Sequence, residues 1–146
     1  MKTTGKPLGL YIHIPFCRSK CDYCDFYSLA GQEKRMKECQ KALLAHIKET
    51  AHLADSFQVA SIYIGGGTPT SLSADQLRQL MGTVRENFDL SRVVEYTVEA
   101  GRPDCTDAEK LAVIREYGAT RISINPQTFS DEVLTNIGRR HSAQDI

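Results

Sequence analysis

Three cysteines near the N-terminus have the types and spacing of metal ligands. They are Cys17, Cys21 and Cys24, in the stretch "YIHIPFCRSKCDYCDF", and they follow the pattern Cys-x3-Cys-x2-Cys. Thiolates on a short loop are typical ligands of iron–sulfur clusters, and a cubane cluster has four irons. Three protein thiolates therefore leave one iron open to an external ligand, just as a catalytic zinc site keeps one position free for its substrate.

A structural zinc site and a redox pair are the alternatives for these thiols. Zinc needs four ligands, and Cys39 or His13 could supply the fourth. However, Cys39 lies on a predicted helix, and His13 alternates along a predicted strand. A redox Cys-x2-Cys pair at Cys21 and Cys24 would not explain the presence of Cys17.

Further candidate residues lie at the ends of predicted strands. The stretch "IYIGGGTPT" (62–70) lacks the lysine of a P-loop, and Thr70 stands where a dinucleotide fingerprint has its last glycine. Successive glycines let a ligand approach bare backbone, although they also form ordinary turns before helices. Glu99 ends the third predicted strand, where an acid is either a site residue or a solvated charge.

Apolar runs and the helical spacing of apolar residues between them predict strands alternating with helices. The strands are predicted at 8–14, 59–67, 93–101 and 120–125, and the helices at 32–54, 73–88, 106–117 and 130–137. Ser73 and Thr106 are predicted to begin capping boxes, Ser130 to cap the last helix, and Gly118 to end the third. This alternation predicts a parallel sheet with right-handed crossovers, whose carboxyl edge binds ligands.

The composition excludes several classes of protein. Lys plus Arg and Asp plus Glu each number 18, so the net charge is zero and no nucleic-acid-binding surface is indicated. No apolar run approaches the ~20 residues of a membrane span, and "MKTTGKPLG" lacks a secretory h-region. We therefore expect a cytoplasmic protein, in which the five cysteines stay reduced. Cys39 and Cys105 are interpreted as ordinary small buried residues.

The motifs together resemble one family. The loop "CRSKCDYC" resembles the Cys-x3-Cys-x2-Cys loop of the radical S-adenosylmethionine enzymes. Its surroundings, with "GGGTP", "YTVEAG" and "SINPQTF", resemble oxygen-independent coproporphyrinogen III oxidase and its relatives. The resemblance implies that Cys17, Cys21 and Cys24 hold a 4Fe–4S cluster. S-adenosylmethionine would bind the open iron, and its reductive cleavage would give a 5′-deoxyadenosyl radical.

The resemblance also assigns roles to residues that the spacing alone leaves open. Tyr11 and Gly66 match contacts to a first S-adenosylmethionine, Tyr23 matches an aromatic beside adenine, and Glu99 matches an acid that binds the ribose. The remaining matches concern a second S-adenosylmethionine, and they are Gly67, Thr68, Gln127 and Arg139.

The resemblance further implies a fold and a function. The fold is α/β, a partial (β/α)6 radical S-adenosylmethionine barrel of which residues 1–146 form the N-terminal part, with about four strands. We expect the rest of the barrel and any C-terminal domain to be absent, and the chain alone to be inactive. The implied reaction is oxidative decarboxylation of a porphyrinogen in heme biosynthesis, with flavodoxin or ferredoxin as the electron donor.

Phe26 departs from the oxidase pattern, which has a further cysteine at that position. Relatives with phenylalanine there include a heme chaperone that is not known for the decarboxylation. The alternative is therefore a protein that binds and transfers heme on the same fold.

Overall fold

The computed structural model describes residues 5–146, which are built around a parallel sheet. The strands are β1 (Lys6–Ile14), β2 (Phe16–Cys17), β3 (Leu29–Ala30), β4 (Phe57–Gly66), β5 (Glu95–Glu99) and β6 (Arg121–Ser123). The main sheet has four parallel strands in the order β1-β4-β5-β6, and a second, two-stranded sheet pairs β2 with β3. The helices are α1 (Glu33–Thr50), α2 (Ala74–Asn87), α3 (Ala108–Glu116) and α4 (Asp131–Asn136).

One face of the main sheet is apolar and lies under the helices. Alternate residues of a strand point to opposite faces, so Ile62 and Ile64 of β4 share a face with Tyr96 and Val98 of β5. These side chains form one hydrophobic cluster with α1, α2 and α3. Burial of this cluster holds the helices on the sheet. Its helical members include Met36, Ile47, Leu77, Leu80, Met81, Val84, Val113 and Ile114.

The other face of the sheet is polar and carries the candidate residues. Tyr11 of β1 pairs in register with Tyr63 of β4, and Tyr63 pairs with Thr97 of β5. Glu99 follows on the same face of β5, opposite Ser123 of β6. A row of hydroxyl and carboxylate groups therefore lines this face up to the carboxyl edge of the sheet.

Several predicted elements are confirmed. Ser73 begins α2 with a complete capping box, because its hydroxyl accepts from the Gln76 amide and the Gln76 side chain accepts from the Ser73 amide. Gly118 has φ of +93° just beyond α3, the left-handed conformation predicted for the end of that helix. Ser130 caps α4 as predicted, since its hydroxyl accepts from the Val133 amide.

The predicted cap at Thr106 is wrong by one residue. Asp107 caps α3, and its carboxylate accepts from the Lys110 amide at 2.9 Å. The Thr106 hydroxyl instead donates to the Arg102 carbonyl and lies 3.1 Å from the Thr70 hydroxyl. Thr106 and Asp107 both have side chains that can cap a helix. The contact of Thr106 with Thr70, which is distant in sequence, leaves Asp107 to cap α3.

Other boundaries also differ from the prediction. Helix α1 ends at Thr50 and residues Ala51–Ala54 tighten into a 3-10 turn, where one continuous helix was predicted. Strands β5 and β6 are shorter than predicted. The pairing of Phe16–Cys17 with Leu29–Ala30 was not predicted, and it places Cys17 on a short strand. Within residues 5–146, none of the helices has the length and apolar character needed to cross a bilayer.

Candidate metal and cofactor site

The cysteine segment crosses the carboxyl edge of the main sheet directly after β1. Cys17 and Cys21 are buried and Cys24 is half-buried. A tight turn closes the end of the segment, because the Cys24 amide donates to the Cys21 carbonyl at 3.0 Å. All three thiols are free of disulfides, as are Cys39 and Cys105. The segment thus presents free thiols beside the loops that follow β4, β5 and α4.

Cys17 lies against the glycine loop that follows β4. Its Sγ is 3.3 Å from Oγ1 of Thr68, which is itself buried. A Cβ atom placed on Gly67 would lie 3.1 Å from that Sγ and 2.7 Å from the carbonyl oxygen of Phe16. Only glycine permits this approach of the two chain segments. The predicted Gly67 and Thr68 therefore meet the first cysteine directly.

Cys21 lies against two arginine side chains from different parts of the chain. Nη1 of Arg102 donates to its Sγ at 3.3 Å, and Nη1 of Arg139 lies 3.8 Å from the same sulfur. Both arginines are buried, with 3% and 8% of their surfaces exposed. A guanidinium is positive at every physiological pH, so this sulfur lies in a positive environment.

Arg102 was missed by the sequence analysis. Nη1 and Nη2 also donate to the carbonyl and hydroxyl of Ser19, each at 3.0 Å, and Nε lies 3.4 Å from a carboxylate oxygen of Asp104. Burial alone would lower the pKa of Arg102, but Asp104 and Cys21 outweigh burial and raise it. The signal available in the sequence was its position, three residues after Glu99 at the same sheet edge.

Arg139 follows α4 and contacts two of the edge loops. Its Nη2 donates to the carbonyl oxygens of Gly101 and Asn125, at 2.6 and 2.8 Å. Its Nε is buried and has no hydrogen-bond partner among residues 5–146. An unpaired buried donor is costly, and such a group is a candidate ligand contact. The prediction that Arg139 contacts a second cofactor stays a prediction.

Glu99 is held at the carboxyl end of β5 by two donors. The Tyr63 hydroxyl donates to Oε1 at 2.5 Å, and the Gly66 amide donates to Oε2 at 3.2 Å. Gly66 has φ of +113°, and a Cβ there would lie 2.9 Å from the His13 ring. Glycine is therefore required at this position. The hydrogen bond to Glu99, with partial burial, raises the pKa of Tyr63 to about 12.

Tyr63 was also missed, although its pairing with Tyr11 could have indicated it. The two rings stack with centroids 6.1 Å apart and an angle of 29° between their planes. Tyr11 is 60% exposed, and its pKa is raised by partial burial and by the charge of Glu99. The Tyr11 ring is therefore accessible to a ligand on the same face as Glu99. The prediction that it lies beside a cofactor stays a prediction.

His13 lies two residues after Tyr11 on β1, so the two side chains share one face of the sheet. Its Nδ1 is 2.9 Å from the Tyr11 hydroxyl, and its Nε2 is 3.0 Å from the carbonyl oxygen of Tyr27. A carbonyl can only accept, so Nε2 carries a proton, and in the neutral ring Nδ1 accepts from Tyr11. Both ring nitrogens are therefore engaged.

The other two predicted residues, Tyr23 and Gln127, are exposed. The pKa of Tyr23 is raised by partial burial first and by its hydrogen bond with Cys21 second. Gln127 has φ of 65°, and within residues 5–146 no other non-glycine residue has a positive φ. Backbone strain of this kind collects at functional sites. The cofactor roles of both residues stay predictions.

The donor chemistry of the site fits an iron–sulfur cluster in kind. Three thiols on one short segment are the type of ligand that holds iron–sulfur clusters, and the adjacent glycines leave bare backbone where a side chain would collide. Among residues 5–146 of the structure, however, no three Cys, His, Asp or Glu side chains lie together as a group that could hold a metal ion. Cys17 instead contacts Thr68, and Cys21 contacts the two arginines. Cys39 is on α1 and packs against the hydrophobic cluster.

The chain belongs to the Radical SAM superfamily, which it matches over residues 11–146. That family implies a 4Fe–4S cluster and S-adenosylmethionine as cofactors. The structure is similar to coproporphyrinogen III oxidase (HemN) from Escherichia coli, described as a Radical SAM enzyme, with a TM-score of 0.87 and 31% identity. The match covers 97% of this chain and 32% of that one. The prediction of an α/β fold of the radical S-adenosylmethionine barrel type is therefore confirmed.

Two curated relatives from Bacillus subtilis (strain 168) have similar sequences. The oxygen-independent coproporphyrinogen-III oxidase-like protein HemZ is 41% identical over 143 residues, which are 94% of this chain and 28% of that protein. The heme chaperone HemW is 42% identical over 140 residues, which are 93% of this chain and 36% of that protein. The chain thus spans about a third of the length of the relatives it matches.

Removing Glu99 should lower the pKa of Tyr63. In Glu99→Ala, we expect this pKa to fall from about 12 toward 10.0, because the hydrogen-bond acceptor and the nearby charge are both lost. The raised pKa stabilises the folded chain below pH 10, and this contribution is lost as the pH rises toward 12. Ring-carbon NMR of labelled tyrosine would follow the titration. Tyr96, whose pKa is raised by burial alone, is the internal control and should not respond.

Proposed function

We propose that Cys17, Cys21 and Cys24 hold a 4Fe–4S cluster that binds S-adenosylmethionine. The membership of the chain in the Radical SAM superfamily and the order of its thiols support this proposal. When bound, the cluster supplies the electron that cleaves the sulfonium of S-adenosylmethionine, and the electron comes from a donor such as flavodoxin or ferredoxin. The residues of the chain bind and orient that molecule beside the cysteine segment.

The position of Glu99 is the observation that carries the proposal. Its carboxylate is fixed by Tyr63 and by the Gly66 amide, at the sheet edge that the cysteine segment crosses. A carboxylate can accept two hydrogen bonds from vicinal hydroxyls, and a ribose offers such a pair. We therefore assign Glu99 to the ribose. Tyr11 lies on the same face of the sheet as Glu99, and the Gly66 amide donates to Glu99. Tyr23 lies within the cysteine segment, where its ring can pack against adenine.

A second S-adenosylmethionine would use the other residues of the edge. Gly67 and Thr68 lie beside Cys17, and Gln127 occupies a strained loop position after β6. The buried Nε of Arg139 lacks a partner among the described residues, so it is available to a carboxylate or carbonyl of a ligand.

We propose a tetrapyrrole as the substrate class of the protein that contains this chain. The similar proteins HemN and HemZ are named as a coproporphyrinogen III oxidase and an oxidase-like protein. The corresponding reaction is the oxidative decarboxylation of a porphyrinogen propionate to a vinyl group.

Heme binding without decarboxylation is the second candidate. Phe26 is 67% exposed and stands where the oxidase pattern has a further cysteine. Relatives that are 39% and 42% identical to this chain are named heme chaperones. An exposed aromatic ring next to the cysteine segment suits contact with a flat tetrapyrrole.

Replacing one of the three thiols should abolish cluster assembly. In Cys17→Ala, Cys21→Ala or Cys24→Ala, we expect iron and sulfide to fall to near background, because a cluster held by three thiolates loses a ligand. Anaerobic reconstitution followed by iron and sulfide analysis measures this. Cys39→Ala, on the outer helix α1, is the matched control and should keep the iron content of the unsubstituted chain. Full iron in all three variants would contradict the assignment.

Glu99→Ala should weaken the binding of S-adenosylmethionine while the cluster stays. We expect the Kd to rise about 10- to 100-fold, because hydrogen bonds to a charged group contribute about 1.5–3 kcal/mol each. Equilibrium dialysis with labelled S-adenosylmethionine measures the affinity. Glu95→Ala is the matched control, since Glu95 lies four residues earlier on the same face of β5 and pairs with Arg121. Equal Kd values for Glu99→Ala and Glu95→Ala would remove Glu99 from the proposed site.

An assay of decarboxylation and of heme binding distinguishes the two candidate functions. With coproporphyrinogen, S-adenosylmethionine and a reductant, the longest natural protein that contains this sequence should release CO2 and form 5′-deoxyadenosine. Chromatography of the porphyrins detects the decarboxylated product that accompanies CO2 release, and chromatography also measures 5′-deoxyadenosine. Stable heme absorption bands without CO2 release would instead favour the second candidate.

A further inference from the structure

Arg102 connects the end of β5 to the inside of the cysteine segment. It lies three residues beyond Glu99, and its guanidinium reaches Ser19 and Cys21, which precede it by 83 and 81 positions. The Arg102 side chain is 4% exposed, so this contact is buried. Two elements that are far apart in sequence are thus joined through one cation.

The partners of Arg102 explain why a cation is tolerated at this place. Burying a charged group is costly unless it is paired and hydrogen-bonded. The Ser19 carbonyl and hydroxyl accept from Nη1 and Nη2, and the Asp104 carboxylate lies 3.4 Å from Nε. The remaining partner of Arg102 is the Cys21 sulfur. Nη1 donates both to this sulfur, at 3.3 Å, and to the Ser19 carbonyl.

Arg139 approaches the same sulfur less closely. Its Nη1 is 3.8 Å from the Cys21 Sγ, and its Nη2 is committed to the carbonyl oxygens of Gly101 and Asn125. Arg139 also has no hydrogen bond to Ser19 among the described residues. Arg102 is therefore the closer donor to Cys21, and it alone of the two arginines also holds the backbone of the segment.

We infer that Arg102 is a positioning residue that holds the cysteine segment against β5 and tunes the potential of the cluster through Cys21. The inference rests on the proposed function, because the tuning requires a cluster at these thiols. Holding the segment requires only the bonds to Ser19, which the chain forms by itself. The two parts can thus be tested separately.

The direction of the tuning follows from charge. Reduction adds an electron to the cluster, and a guanidinium that donates to a ligating sulfur stabilises the more negative state. Arg102 therefore raises the reduction potential, and its removal lowers it. Lysine at position 102 would keep the positive charge, but it cannot reproduce the planar fork that reaches Ser19 and Cys21 together.

The test compares R102M and R102K with the unsubstituted chain after anaerobic reconstitution. Iron and sulfide content, and the midpoint potential from a titration followed by electron paramagnetic resonance, are measured for each. We expect the potential to shift to more negative values in R102M, and by a smaller amount in R102K. R140M is the matched control, because Arg140 is exposed and adjacent to Arg139. The midpoint potential of the cluster in R140M should equal that in the unsubstituted chain.

Hydrogen exchange of the metal-free chain tests the holding role without a cluster. In R102M, amide exchange across residues 17–24 should become faster by on the order of tenfold, while exchange in α2 stays unchanged. Failure of the unsubstituted chain to take up iron and sulfide would refute the proposed function. The exchange measurement would still decide whether Arg102 holds the segment.

Three results would overturn the inference. The first is an unchanged potential in R102M at full iron content. The second is unchanged exchange across residues 17–24. The third is loss of the cooperative thermal transition in both R102M and R102K, followed by circular dichroism, which would make Arg102 a residue of the general fold.

Discussion

Parallel pairing of β1 with β4 and of β4 with β5 is the constraint on which the site depends. It places Ile14 beside Gly66, so the cysteine segment and the glycine loop leave the sheet at the same edge. It also places Glu99 at that edge, one strand further along. The helices keep this register because alternate strand residues are buried beneath them, and a slip of one position would expose that apolar row. The chemistry of the site is therefore fixed by packing on the opposite face of the sheet.

The edge divides into two regions of opposite charge. Around Cys21, two buried guanidinium groups create a positive environment, and their other partners are carbonyls, a hydroxyl and Asp104. Around Gly66, the carboxylate of Glu99 accepts from a tyrosine and from a backbone amide. A positive environment suits thiolates, whereas a carboxylate suits hydroxyl or ammonium donors. S-adenosylmethionine with a cluster presents both kinds of group, and this division supports the proposed function in physical terms.

Much of the fold could be predicted because its signals are local. Apolar and β-branched runs identified the strands, and the capping box at Ser73 and the glycine at 118 bounded helices, because these features depend on neighbouring residues. The cap of α3 was wrong because the contact between Thr106 and Thr70 spans 36 positions. Arg102 and Tyr63 were missed for the same reason, because their partners are distant in sequence: Arg102 reaches Cys21, and Tyr63 donates to Glu99. The local sequence around a residue does not reveal such partners.

The sequence by itself determined the thiol spacing, the glycine loop, the strand-end acid and the strand–helix alternation, and the family followed from these. Each of them is a property of residues that are close together in the chain. The tertiary structure decided which groups meet: that Tyr63 donates to Glu99, that Gly67 lies against Cys17, and that Arg102 reaches Cys21. Those contacts depend on strand register and on burial, which arise only when distant segments pack together.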